Sequence, residues 1–169
     1  MNSNTQMTAG GRWFFGEYEC AVDGQRRILL PSAWRAEKPS EDHFFLLPGR
    51  DKSLQLVPGE MFVELLQQLR RVSFADRDAS RALAALGSRA QECRCDRQGR
   101  FAIGPRLLTH AGLTGRVVLV GAVTTVQLWA PEAWASVGTD DETGLDVIRN
   151  IQQQPGETLL DILRKALKS

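Results

Sequence analysis

The residues of this chain best suited to chemistry are an aspartate and an arginine that occur twice at one spacing. Asp23 precedes Arg27 by four positions, and Asp96 precedes Arg100 by four positions. A carboxylate in a turn can accept hydrogen bonds from backbone amides and can orient an arginine a few residues on. The arginine offers a rigid fork of donors that can bind a guanine edge or a phosphate through two hydrogen bonds. A lone hairpin arginine is most simply a solvated residue, but equivalent placement in two copies favours a shared binding role.

The two motifs lie within an internal repeat, which is the organising feature of the chain. The copies are 73 residues apart at the aspartate and at the arginine, and 72 residues apart in apolar segments downstream. They differ inside the turn, where Arg26 in the first copy corresponds to Gly99 in the second. Glycine permits a positive φ angle that a bulky residue resists. We therefore expect the first turn to differ in shape, and we rank Arg100 above Arg27 as a binding residue.

The composition predicts a soluble protein with enough apolar sequence for a core. The chain has 169 residues, of which 43% are hydrophobic and 24% are charged, and these fractions are ordinary for a globular domain. No apolar run approaches the roughly 20 residues that cross a bilayer. The N-terminal residues lack the basic start and apolar centre of a signal peptide. We therefore expect a cytoplasmic protein that does not contact a membrane.

The formal net charge of +1 conceals an uneven distribution. Between Arg89 and Arg106 five arginines oppose two acidic residues, whereas after Gly138 acidic residues outnumber basic ones. Proteins that bind phosphates show a local excess of arginine and lysine even where the total is modest. The basic surface of this chain is therefore expected on the repeat, around its second motif.

The cysteines and histidines provide little support for a metal site or for catalysis. The three cysteines are an odd number, which is typical of reduced thiols in a cytosol. Cys93 and Cys95 alternate on a strand and should face the same way, but neither they nor the equivalent Cys20 have further ligands at metal-binding spacing. His43 and His110 flank apolar strands without a repeated partner. We expect small buried thiols, no metal, no cofactor and no enzyme activity.

The hydrophobic pattern predicts a similar series of short strands in each copy. In the first copy a hairpin carries the motif at its tip, and a helix follows the fourth strand. The apolar face of that helix consists of Met61, Leu65, Leu66 and Leu69. A second helix is expected to end at Gly87. The predicted strands are 16–22, 28–30, 44–47, 54–57, 101–103, 117–120 and 124–129, and the later helices are 75–86, 106–109 and 158–167.

These patterns divide the chain into two copies of one unit with helical additions. The helical pair is an insertion in the first copy, because only a short helix, starting at Pro131, stands at the equivalent place in the second. The predicted segments are a disordered leader at 1–12, the first repeat with its helix at 13–72, a connecting helix at 73–88, the second repeat at 89–137, and a linker with a C-terminal amphipathic helix at 138–169.

Further residues accompany the two motifs: Gly16, Glu17, Tyr18, Asp23, Arg27 and Pro31 in the first copy, Glu92, Cys93, Asp96, Gly99, Arg100, Pro105 and 110–113 in the second, and the closing segment 128–134. Together with the repeated order of strand, turn, strand and short helix, these residues resemble the MraZ family of bacterial transcriptional regulators. The resemblance covers roughly residues 15–134. In that family the first motif is closer to Asp-x-Lys-Gly-Arg, so Gln25 and Arg26 are departures from it.

The resemblance implies a particular fold and assembly. The fold class would be α+β, mainly β with helices. Each half would adopt the AbrB-like swapped-hairpin fold, and the halves would interleave into a pseudo-duplicated, double-psi-type β-barrel with an inserted helical pair and a C-terminal helix. The protein would form a homo-oligomeric ring of eight or twelve copies that displays the turns along one face.

The resemblance also implies a function and a set of site residues. The ring would bind G-rich direct repeats in double-stranded promoter DNA upstream of the division and cell-wall gene cluster, and would act as a nucleoid-associated repressor. The implied site residues are Arg27 and Arg100 as DNA-contacting arginines, Arg26, Arg97 and Arg94 as phosphate contacts, and Asp23, Asp96 and Gly99 as residues that shape the turns.

Three other readings remain open at this point. An AbrB-type antitoxin would be a short single-copy domain with a toxin-binding tail, and the duplication argues against it. A ring that serves only as a scaffold would keep the fold without any affinity for DNA. An enzyme would need a nucleophile motif, a phosphate loop or paired carboxylates, and none of these patterns occurs in the sequence.

Overall fold

The computed structural model describes residues 11–138 and 141–153. The chain divides into two compact units after Trp134. The elements are β1 (Glu17–Ala21), β2 (Arg27–Leu29), β3 (His43–Pro48), β4 (Leu54–Pro58), α1 (Gly59–Leu69), α2 (Arg77–Arg89), β5 (Gln91–Arg94), β6 (Arg100–Ala102), α3 (Pro105–Ala111), β7 (Arg116–Ala122), β8 (Thr125–Trp129), α4 (Pro131–Val137) and α5 (Asp141–Gln153). Short 3₁₀ helices cover Ser32–Trp34, Pro39–Glu41 and Arg50–Lys52.

The two copies interleave through their strands. Six strands form an antiparallel sheet in the order β1-β7-β8-β4-β3-β5, and β2 pairs separately with β6. Thus β1 of the first copy pairs with β7 of the second, and β5 of the second pairs with β3 of the first. The expected swapping of strands between copies and the α+β class are both confirmed.

Two sequence expectations about the strands need correction. Where a simple hairpin was expected around the first motif, β1 and β2 do not pair with each other in the described part of the chain, because each finds its partner in the other copy. The strand pairs of residues 11–138 also form an open sheet and a separate two-stranded ribbon, not a closed double-psi-type barrel. The three-residue strands β2 and β6 pair with each other, and they lie beside the edge strands β1 and β5 respectively.

A single hydrophobic core joins both copies. Inward-facing residues alternate along the strands of the sheet, as for Phe44 and Leu46 on β3 or Leu54 and Leu56 on β4. Phe14 is fully buried and meets Trp34 edge to face, with ring centroids 5.9 Å apart. The remaining members of the core include Ile28, Leu30, Cys93, Phe101, Ile103, Leu107, Leu113, Val117, Leu119, Val126 and Leu128.

Helix α1 packs differently from the sequence expectation. Met61, Leu65 and Leu66 are exposed, whereas Phe62 is buried and stacks on Phe45 with ring centroids 4.3 Å apart. The large aromatic ring therefore occupies the face that meets the sheet, because it buries more apolar area there than a leucine does. Of these exposed residues, Leu66 helps to line a cavity of about 580 Å³ between α1 and α2, whose walls also include Phe62, Val63, Leu83 and Leu86.

Helix α2 differs from expectation at its ends, and helix α5 has no counterpart among the predicted helices. Helix α2 begins after Asp76, whose side chain accepts a hydrogen bond from the amide of Ala79, and it continues through Gly87 to Arg89. Helix α5 begins at Asp141, inside the segment expected to be a linker. The predicted helix at 158–167 lies outside the described residues. Among residues 11–138 and 141–153, every helix is too short or too polar to cross a bilayer.

The N-terminal edge of the described chain is held by polar contacts. Arg12, which the sequence placed in the leader, donates a hydrogen bond of 2.8 Å to the buried carboxylate of Asp42 and another to the carbonyl of Trp34. Phe14 and Val123 then exchange backbone hydrogen bonds in a β-bridge. Gly121 makes this approach possible, because a Cβ there would lie 2.5 Å from the carbonyl oxygen of Phe14.

We expect Gly121→Ala to lower the free energy of unfolding by about 1–3 kcal/mol, since the added methyl would force two backbones apart. Urea denaturation of the purified protein measures this. Gly115→Ala is the matched control, because a Cβ at Gly115 meets no atom within 4 Å. Equal losses in the two variants would show that the close approach at Gly121 is not a constraint.

Candidate nucleic-acid interface

Each motif forms a turn built around its aspartate. Asp23 Oδ1 accepts hydrogen bonds from the amides of Gln25 and Arg27, both at 2.8 Å. The backbone of Asp23 also donates to the carbonyl of Arg27 and accepts from the amide of Arg26, both at 2.9 Å. A side chain that accepts from two turn amides stabilises the closed loop.

The second turn repeats these contacts atom for atom. Asp96 Oδ1 accepts from the amides of Gln98 at 2.9 Å and Arg100 at 3.0 Å. The amide of Asp96 donates to the carbonyl of Arg100, and the amide of Gly99 donates to the carbonyl of Asp96, both at 2.9 Å. The two turns therefore present their arginines in the same way.

The expected difference in turn shape is wrong. Arg26 adopts a φ of 59° and Gly99 a φ of 80°, so both occupy the left-handed region. This conformation costs a side-chain-bearing residue roughly 1–2 kcal/mol. The hydrogen bonds of Asp23 hold Arg26 there, which means that the first turn keeps its shape at an energetic cost that the glycine of the second turn avoids.

Both arginines are anchored at one end and open at the other. Arg27 Nε lies 2.9 Å from Asp23 Oδ2, and Arg100 Nε lies 3.0 Å from Asp96 Oδ2. Their Nη groups form no hydrogen bond to the described residues. Anchoring through Nε limits the rotamers of the side chain, so less conformational entropy is lost when the Nη groups bind a partner.

The same contacts lower the pKa of both aspartates. The largest cause is the hydrogen bond from the backbone amide of the arginine, Arg27 for Asp23 and Arg100 for Asp96, and the guanidinium lowers the pKa further. Both carboxylates are therefore ionised at neutral pH, and each turn has the charge it needs to hold its arginine.

The β2–β6 ribbon places both arginines on one outward face. Arg27 is paired with Ala102, and Leu29 is paired with Arg100. The intervening Ile28 is buried against the core, as is its partner on β6. Since side chains alternate along a strand, the four paired residues lie on the opposite, exposed face. The two arginines stand diagonally across the ribbon, two residues or about 7 Å apart along its axis.

The three other predicted contact residues have different surroundings. Arg26 and Arg97 lie in the turns, are exposed, and form no ion pair with the described residues. Arg94 instead lies on the edge strand β5, where it donates a 2.9 Å hydrogen bond to Glu92. Glu92 Oε1 also lies 2.7 Å from His43 Nε2, and contact with His43 and then Arg94 lowers its pKa. The charge of Arg94 is thus partly neutralised, unlike the charges of Arg26 and Arg97.

Arg35 is a basic residue at the second turn that sequence analysis did not single out. Its Nε donates a 2.8 Å hydrogen bond to the carbonyl of Leu30. Its guanidinium packs against Gly99 so closely that a Cβ there would lie 2.3 Å from Nε. The repeat offered no signal for this residue, because the equivalent position in the second copy is Leu108.

The cysteines behave as small core residues. Cys93 is buried, and Cys20 and Cys95 pack against the same core. Burial raises the pKa of Cys93 and of Cys95 to about 12, and also raises that of Cys20. Thiols of this kind are almost wholly protonated at neutral pH and are poor nucleophiles and metal ligands. Among the described residues no group of three or more histidine, cysteine or acidic side chains is arranged to hold a metal ion.

Comparison with known proteins identifies the class and then the family. The interleaved strands and paired Asp-x-x-x-Arg turns define a duplicated swapped-hairpin protein. The model of the family described as "MraZ protein, putative antitoxin-like" matches residues 13–85 and again 86–143. The chain belongs to the MraZ family.

Curated relatives bear the name Transcriptional regulator MraZ. The relative from Alkaliphilus metalliredigens is 31% identical over 143 residues, which cover 85% of this chain and 99% of that protein. The relative from Alkaliphilus oremlandii is 32% identical over 143 residues, which again cover 85% of this chain and 99% of that protein. The relative from Moorella thermoacetica is 34% identical over 121 residues, or 72% of this chain and 83% of that protein.

We expect the turn aspartates to contribute a pH-dependent part of the stability. Their folded-state pKa lies below the ordinary value of 3.8, so their contribution is present above about pH 4 and is lost as pH falls through the folded-state pKa. A variant with both Asp23→Asn and Asp96→Asn should be less stable than the wild type at pH 7, and the difference should narrow below pH 4. Urea unfolding from pH 3 to 7 measures this, with Glu64→Gln on α1 as control. A difference that stays constant over this range would contradict the assignment.

Proposed function

We propose that this chain is a sequence-specific, DNA-binding transcriptional regulator that reads DNA with the β2–β6 ribbon and its two turns. The observation that carries the proposal is the equivalent anchoring of Arg27 and Arg100 by aspartates on one exposed face, with Nη groups that form no hydrogen bond to residues 11–138 or 141–153. The MraZ relatives, which are named as transcriptional regulators, support the same conclusion.

The dimensions of the ribbon suit the major groove. That groove admits a two-stranded β-ribbon, and an arginine in it can bind O6 and N7 of a guanine through two hydrogen bonds. Two arginines about 7 Å apart along the ribbon are separated by about two base-pair steps, since successive pairs rise about 3.4 Å. A short G-rich element would therefore present guanines at a spacing that both arginines can reach.

Neighbouring basic residues are proposed to contact the phosphate backbone. Arg26 and Arg97 lie beside the anchored arginines in the turns, and Arg35 adds a third cation at the second turn. Arg94 is included with a smaller contribution, because Glu92 already balances part of its charge. Phosphate contacts of this kind set affinity and register, and they carry no sequence information directly.

The regulator is proposed to act as a ring of eight or twelve copies. One ribbon offers a small contact area, whereas several ribbons bound to successive direct repeats gain affinity through effective concentration. A ring also concentrates one basic face, which reconciles DNA binding with a net charge of +1 per chain. The exposed apolar residues of α1, Met61, Val63, Leu65 and Leu66, support self-association, since such patches mark protein contacts.

The proposed target is G-rich direct repeats upstream of the division and cell-wall gene cluster, with repression as the outcome and the nucleoid as the location. This follows the MraZ resemblance. The antitoxin-like description of the family keeps a second function open, in which the C-terminal region binds a toxin. Removal of residues 154–169 distinguishes the two, because it should leave DNA binding by the ribbon intact while abolishing capture of a toxin.

We expect Arg27→Ala and Arg100→Ala each to weaken binding to DNA from upstream of the chain's own gene by about 10- to 100-fold. Fluorescence anisotropy across a salt series measures the affinity and its salt slope. Arg81→Ala on the exposed side of α2 is the matched control. Arg100→Lys should keep the salt slope and lose sequence discrimination, because lysine lacks the planar fork. No binding by the wild type at low salt, or curves that coincide, would overturn the DNA-reader proposal.

We also expect the purified protein to have a mass well above that of a dimer by light scattering. Replacement of Leu66 by glutamate on α1 should reduce that mass, because a charge in an apolar contact must be desolvated. Glu64→Lys, a change of charge beside it on the same helix, is the control. A monomeric mass for the wild type would contradict the ring.

A further inference from the structure

Leu29 is an apolar residue in an unexpected place, on the exposed face of the ribbon between the two anchored arginines. It keeps 44% of its surface exposed, whereas its neighbours Ile28 and Leu30 are buried at 1% and 0%. It stands directly across from Arg100 in the strand register. Its side chain therefore adds little to the core, although every other residue of β2 either packs in the core or anchors to an aspartate.

We propose that Leu29 contacts the C5-methyl group of a thymine in the major groove, beside the guanine bound by Arg100. This inference rests on the proposed function of the ribbon. Among base edges in that groove only thymine presents a methyl group, and apolar side chains are its complement. Any other base would place a polar edge against the leucine and lose its water without gaining a hydrogen bond.

The position of Leu29 limits where that thymine lies. Directly paired residues of an antiparallel ribbon have Cβ atoms roughly 5 Å apart. Neighbouring base pairs are about 3.4 Å apart. A thymine met by Leu29 therefore lies within about two base pairs of the guanine that Arg100 binds, and the two contacts form one composite element.

The second copy does not repeat this contact. The residue equivalent to Leu29 is Ala102, which lies on the same exposed face, across from Arg27. Alanine ends at Cβ and cannot reach as deep into the groove as leucine. The arginines are thus related by the internal pseudo-symmetry, whereas the apolar contacts are not.

This difference gives the ribbon a direction on DNA. A ribbon with true two-fold symmetry would favour a palindromic site, because the symmetry of a DNA site mirrors that of the protein. With Leu29 on one side and Ala102 on the other, one orientation of the ribbon matches the thymine and the reverse does not. Duplication within one chain permits this divergence, which a homodimer of single copies could not achieve.

The test replaces thymines one at a time by deoxyuridine in DNA from upstream of the chain's own gene, which removes only the methyl group. With wild-type protein we expect the replacement at one position in each bound element to weaken binding. The loss should be roughly fourfold, which corresponds to the burial of one methyl group. With Leu29→Ala that position should become insensitive, because its partner is gone. Leu29→Met should retain the sensitivity, since methionine preserves an apolar side chain of similar reach.

Two further variants keep the result interpretable. Leu145→Ala removes an exposed leucine from α5 (63% exposed, against 44% for Leu29) and should leave the deoxyuridine profile unchanged. The exchange Leu29→Ala with Ala102→Leu should move the sensitive position to the other side of the element. Circular dichroism and light scattering confirm that each variant keeps its fold and mass.

The outcomes separate this inference from the function on which it rests. If wild-type binding depends on Arg27 and Arg100 while Leu29→Ala keeps the deoxyuridine sensitivity, the thymine contact is overturned and the DNA-reader proposal stands. If no thymine is sensitive with the wild-type protein, the contact is likewise overturned. If the wild type does not bind DNA at all, both proposals fail.

Discussion

The structure depends on a carboxylate that accepts hydrogen bonds from two backbone amides within a five-residue segment. Asp23 and Asp96 each close their turn in this way, and the same oxygen pair holds the arginine that follows. Because these bonds fix the turn internally, the strands on either side need not pair with each other to define it. The strands β1 and β2 can therefore pair with different strands, β7 and β6, while the turn between them keeps its shape.

That freedom produces the interleaved architecture. The strand β1 joins the six-stranded sheet through β7, and β2 pairs with β6 to make the ribbon. Ile28 and Phe101, on the inner face of the ribbon, pack in the shared core. The outer face of the ribbon therefore has a fixed orientation. Rigid support of this kind suits a recognition surface, because side chains that are already ordered lose less entropy on binding. Neither copy has a core of its own, and each needs the other to bury its apolar faces.

The sequence predicted local features better than it predicted contacts between residues distant in the chain. Strand positions, the second turn and the core-facing thiols followed from alternation, turn residues and composition. The predicted apolar face of α1 was wrong. Periodicity identified an amphipathic helix but could not show that Phe62, and not the leucines, would pack against Phe45. The shape of the first turn was also wrong, because the intrinsic preference of Arg26 against positive φ is weaker than the hydrogen bonds of Asp23. Arg35 gave no signal, since it reaches the second turn only through the fold.

The sequence by itself determined that the chain is duplicated, that each copy carries an aspartate-closed turn ending in arginine, and that the chain resembles the MraZ family. These are properties of residue type and short spacing, which backbone geometry translates directly into a turn. Only the tertiary structure decided that Arg27 and Arg100 share one face, that Leu29 stands between them, and that α1 leaves apolar residues exposed. Those facts depend on which strands pair and in what register, and that choice is made by burial of a common core across more than seventy residues of chain.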